Sequence, residues 1–135
     1  MKRFIIAFIA AFIFVFLWGW FYNGVLLKDV FAEAQSLFRS REEMMSLFRW
    51  IIIGQAGLAL AFVMIYASGF AGGGIAAGVR LGIMVEIFAV GARCAIYATQ
   101  PFPAKLLVLI SVGGFIEMTV TGIIVGAIYR AKSNA

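Results

Sequence analysis

Histidine is absent from the 135 residues, and aspartate and cysteine occur once each, as Asp29 and Cys94. Without histidine the chain lacks the usual axial ligand of haem, the usual ligand of catalytic zinc and copper, and the commonest general base. A single cysteine excludes an internal disulfide. No histidine-based triad, thiol–imidazole pair or metal-ligand spacing can be assembled from what remains. The chain is therefore expected not to be an enzyme, with no catalytic residue, cofactor ligand or metal ligand. Charge is also scarce. Only 13% of residues are charged and 64% are hydrophobic, where a soluble domain carries about a quarter charged. Mean hydropathy is +1.07. No water-soluble fold of this size has enough interior to hide that much apolar surface, so the expected solvent is lipid.

What charge there is has a pattern. The net charge is +5 and the isoelectric point is near 9.8. The cations cluster mostly at the ends of apolar runs, where they anchor helices and meet anionic lipid head groups. No nucleic-acid motif accompanies them, so membrane lipid is the expected partner and nucleic acid is not.

A bilayer core of about 30 Å needs roughly 20 apolar residues per helical span. Four runs meet this, at 4–22, 48–70, 75–97 and 104–129. Together with short connections they account for a single integral membrane domain over 1–135. The first run follows Lys2 and Arg3 and ends in Trp18, Gly19, Trp20, Phe21 and Tyr22. It is too long for a signal h-region and ends in aromatics rather than small residues, so an uncleaved span is expected. Trp18, Trp20 and Tyr22 are expected to anchor it at the interface. Stacking on a pigment, quinone or lipid tail is the alternative.

Between the first two spans, Leu27, Val30, Phe31, Ala34, Leu37 and Phe38 recur at helical spacing opposite Lys28, Asp29, Glu33, Gln35 and Arg39. This predicts an amphipathic interfacial helix over 24–39. Ser40 followed by Glu43 reads as a capping box that starts a new helix leading into the second span. Gly72, Gly73 and Gly74 mark the next turn. Pro101 and Pro103, the only prolines, mark the break before the fourth span. The expected fold class is thus an all-α membrane protein, four transmembrane helices with an interfacial helix between the first and second.

Three spans-bound features invite a functional reading. Arg80, Glu86 and Arg93 lie in the third span and Glu117 in the middle of the fourth. A charge near the bilayer centre costs about 2.5–3.5 kcal/mol on insertion scales, so it faces protein or a water-filled cavity. Glu86 and Arg93 stand two helical turns apart on one face, and antiparallel packing brings Glu117 to a similar depth as Glu86. The cluster predicts either a buried ion pair that fixes helix packing or docks a subunit, or a proton, ion or polar-ligand path. Gly74, Gly78 and Gly82, with Gly114, Gly122 and Gly126 on the fourth span, form small faces that let helices approach closely. They predict packing within the chain, or an interface with another. Cys94 reads as a small filler beside Arg93.

The run Trp18-Gly19-Trp20-Phe21-Tyr22-Asn23-Gly24-Val25-Leu26-Leu27-Lys28, an amphipathic stretch and three further spans together resemble the small four-helix bacterial membrane proteins of a family of unknown function. Members tend to show an aromatic-aromatic-x-x-hydrophobic-hydrophobic pattern just after the first helix. Asn23-Gly24 stands where a glycine–proline turn is expected. The resemblance implies the architecture and a bacterial inner membrane; it supplies no activity or site residue. Lys2 and Arg3 before the first span lead us to expect both termini on the cytoplasmic side, although the cations divide almost evenly between the two sides. The expected function is an accessory or structural subunit packing against a larger membrane complex and lipids. The alternative is a small self-associating transporter or channel built on Glu86, Arg93 and Glu117.

Overall fold

An unbroken apolar run favours helix because a helix satisfies its own backbone donors and acceptors. The computed structural model describes residues 1–130, almost all of them helical; Lys132, the last cation, lies outside the described residues. Helix α1 spans Lys2–Phe21, α2 Lys28–Glu33, α3 Arg41–Ser46, α4 Phe48–Gly69, α5 Gly74–Thr99 and α6 Ala104–Arg130. Of these, α1, α4, α5 and α6 are long and apolar enough to cross a membrane. Their boundaries fall within two residues of the four expected spans.

The long helices stand in a row. α5 packs on α6, α6 on α1, and α1 on α4, with a lesser contact of α4 to α6. The reason is visible in α1. Ala7, Ala11 and Val15 are buried and Gly19 continues the same four-residue step, its missing Cβ 3.4 Å from the Gln55 amide. A side chain every fourth residue lies on one face of a helix, and a face this small lets α4 and α6 close in. Ala59, Phe62, Val63 and Tyr66 of α4 complete the core around it. The opposite face of α1, with Ile5, Ile9, Ile13 and Leu17, is exposed.

The stretch after α1 differs from the expected single helix over 24–39. A π turn, Tyr22–Leu26, is followed by the six residues of α2 and a 3-10 turn, Gln35–Leu37. The chain pivots at Leu27 and Ala34, which share φ near −100° (−97° and −103°). Both are buried while their neighbours are not. Tucking these two side chains against the protein offsets the helical hydrogen bonds lost at each pivot. Phe38 then meets the Phe102 ring at 5.7 Å, which ties the connection to the turn before α6.

Ser40 forms the expected capping box: its hydroxyl accepts from the Glu43 amide at 3.2 Å, and Glu43 Oε2 accepts from the Ser40 amide at 3.3 Å. The helix so started does not run straight on. It breaks at Leu47 (φ −103°, ψ 10°) before α4 begins. At the other end of α4, Gly74 takes φ +59°, a conformation that costs a glycine nothing and other residues a great deal.

Candidate functional site

Three glycine contacts set the register of α5 on α6. A Cβ on Gly78 would strike the Gly122 carbonyl, one on Gly82 the Met118 carbonyl, and one on Gly126 would lie 2.6 Å from the Gly74 carbonyl. Each step of four along α5 thus matches a step of four back along α6. The next step pairs Glu86 with Gly114, and a Cβ on Gly114 would collide with the Glu86 carboxylate. Glu86 is therefore the fourth rung of the ladder Gly74-Gly78-Gly82-Glu86. Its side chain lies in the space that the glycine opposite leaves open.

Glu86 is 2% exposed and forms an ion pair with Arg93, whose side chain is 28% exposed. Two helical turns bring the guanidinium back over the carboxylate, and the long stem lets its far side reach out of the interface. Glu117 is half-buried and within electrostatic reach of both Glu86 and Arg93. Its carboxylate makes no ion pair or hydrogen bond among the described residues. The structure thus brings Glu86, Arg93 and Glu117 together. Arg80 is not part of the group: it follows Gly78 by two residues, which puts it on the far side of α5, and it has no ion-pair partner among the described residues. An unpaired carboxylate beside a carboxylate–guanidinium pair can take up a proton or a cation. Among the described residues no three His, Cys, Asp or Glu side chains gather as metal ligands. Cys94 is exposed.

The aromatics at the end of α1 divide. Trp20 is exposed at 65%. Trp18 and Tyr22 turn inward, stacked at 5.2 Å and 15°. The Trp18 indole donates to the Gly113 carbonyl at 3.2 Å, and the Tyr22 hydroxyl donates to the Leu109 carbonyl at 2.6 Å. Gly113 is what admits them, since a Cβ there would enter the Tyr22 ring. The double glycine of α6 therefore serves two neighbours, Gly113 receiving α1 and Gly114 receiving α5. At the opposite end Arg3 donates to the Tyr129 carbonyl at 3.1 Å, and Tyr66 donates to the Gly74 carbonyl at 2.9 Å.

Several of these contacts were not among the expected site residues. Gly113, Tyr66 and the Ala7-Ala11-Val15-Gly19 face carry packing of their own beside the expected glycines. The signal for the last was size at a four-residue period, inside a run that is apolar on every side. The chain matches no family model, no curated protein and no solved structure.

Proposed function

We propose that this chain is a non-catalytic integral membrane protein, an accessory subunit that packs against a larger complex and the surrounding lipid of a bacterial inner membrane. The reading rests on which faces are used and which are left. The glycine and alanine faces of α1, α5 and α6 described above are spent inside the chain, with Gly91 of α5 left open. The polar side chains there bond mostly to backbone carbonyls within the chain. The outer face of α4 is different. A Cβ on Gly54 or Gly57 would meet nothing within 4 Å, and Ala61 and Ser68 continue that exposed face. This open small-residue face, at one end of the row, is the observation that carries the proposal, because such faces favour close contact with another helix.

The test is mild extraction of the full chain from its own membrane, followed by native mass spectrometry. A larger subunit in fixed ratio is expected, and Gly57→Leu should release it while the chain stays folded. Recovery of the chain alone, or only as a homo-oligomer, sinks the accessory reading.

The unpartnered carboxylate of Glu117, beside the Glu86–Arg93 pair, favours one second reading, a small homo-oligomeric transporter or channel. In that case Glu117→Gln abolishes flux in proteoliposomes and leaves the oligomer intact.

A further inference from the structure

At the end of the row where α1 and α5 begin and α4 and α6 finish, a cavity of about 540 Å³ opens between Arg3, Tyr129, Arg130 and the turn Gly72, Gly73 and Gly74. Among the described residues two guanidinium side chains line it and no carboxylate does. Neither arginine has an ion-pair partner among the described residues. Arg3 is fixed by its bond to the Tyr129 carbonyl. The Arg130 stem lies over Gly74, its Cδ 3.5 Å from where a Cβ would stand. The glycines leave no side chain between the cavity and the backbone. The first turn of α5 that follows them has neither a side-chain cap nor an acidic residue. Two like charges facing one space repel unless an anion bridges them, and guanidinium groups match phosphate oxygens in geometry.

We propose that this cavity binds a phosphate group. Arg3 and Arg130 stand at the ends of span-length helices, at the level where lipid head groups lie. The phosphate of an anionic phospholipid is therefore the favoured source, and a free phosphate is the other. The site depends on the membrane reading only for that source, and not on the accessory role.

The test uses the full chain in nanodiscs holding phosphatidylglycerol and phosphatidylcholine, with retained lipid counted by native mass spectrometry. One tightly held phosphatidylglycerol is expected. The double variant Arg3→Gln/Arg130→Gln should retain it at least tenfold less, with helicity unchanged. Arg39→Gln/Arg41→Gln, which removes the same charge from the exposed connection before α4, should retain it as the parent does. An arginine-dependent thermal shift with inorganic phosphate, and no lipid retention, keeps the phosphate site and assigns it a soluble source. Equal retention in the parent and the first variant with no phosphate shift, or equal loss in both variants, overturns the site. If the first variant does not fold, modification of Arg3 and Arg130 by phenylglyoxal in the parent decides. Phosphatidylglycerol or inorganic phosphate should slow it at least fivefold over phosphatidylcholine alone, and unchanged rates with both overturn the proposal.

Discussion

Glu86 and Arg93 are a pair in which one partner is sealed and the other can reach outward. Removing only the arginine strands a buried carboxylate without its partner. Breaking a buried pair from one side costs about 3–5 kcal/mol, and replacing both charges is often neutral. Arg93 is partly exposed, which sets the expectation at the low end. Arg93→Gln should destabilise the chain by about 3 kcal/mol in reversible detergent unfolding, and Glu86→Gln/Arg93→Gln should regain most of that. A double variant as unstable as the single one would show that the niche over Gly114 requires charge. Tyr22 makes a smaller, separable contribution. Its hydroxyl donates to a carbonyl already used within α6, and interhelical bonds of this kind average about 0.6 kcal/mol and reach about 1.7. Tyr22→Phe should cost about 1 kcal/mol in the same assay, since the ring still fills the Gly113 notch. Trp20→Phe, on an exposed side chain, should cost nothing measurable there.

At the level of helices, identical glycines have opposite meanings. Gly78 faces backbone, which cannot rotate away as a side chain can. Overpacking typically costs 1–3 kcal/mol, and a clash with backbone belongs at the upper end, about 3 kcal/mol for Gly78→Ala. Gly57 has open space around it, and alanine gains about 0.5–1 kcal/mol of helix propensity over glycine. Gly57→Ala should leave unfolding of the isolated chain unchanged or slightly raised. If both variants destabilise equally, the α5–α6 register described above is incorrect. This contrast also shows what was legible in the sequence. Span boundaries were, because apolar runs end at glycines, prolines and charges whose effect is local. The Glu86, Arg93 and Glu117 grouping was, because helical spacing and antiparallel depth suffice to place it. The inward face of α1 was not: Ala7 and Ile9 are both apolar, and hydropathy does not separate a packed face from a lipid-facing one. The connection over 24–39 was misread for a related reason. Apolar residues at helical spacing are compatible with one helix or with short pieces pivoting at Leu27 and Ala34. Only the burial of those two side chains decides between them.

The whole molecule is two antiparallel pairs joined mainly along one seam, with Tyr66 of α4 adding a bond to the Gly74 carbonyl. α5 and α6 form one pair, α1 and α4 the other, and α1 meets α6 between them. The seam has bonds at both ends, Arg3 to the Tyr129 carbonyl at one and Trp18 and Tyr22 to the Gly113 and Leu109 carbonyls at the other. Helices that satisfy their own backbones are stable before they associate, so the covalent link through Gly72 and Gly73 is dispensable if the seam is strong enough. Cutting the chain there should give two fragments, 1–72 and 73–135, that co-purify when expressed together. Trp18→Ala/Tyr22→Ala removes two bonds and the stacked rings that fill the Gly113 notch. At about 0.6–1.7 kcal/mol per bond, and with the lost ring contacts added, the loss exceeds the roughly 1.4 kcal/mol that corresponds to tenfold in association. Recovery of the 73–135 fragment on a tagged 1–72 fragment should therefore fall at least tenfold, while Gly57→Leu, on the outer face of α4, leaves it unchanged. Fragments that fail to associate without any substitution would mean that the turn, rather than the seam, holds the pairs together.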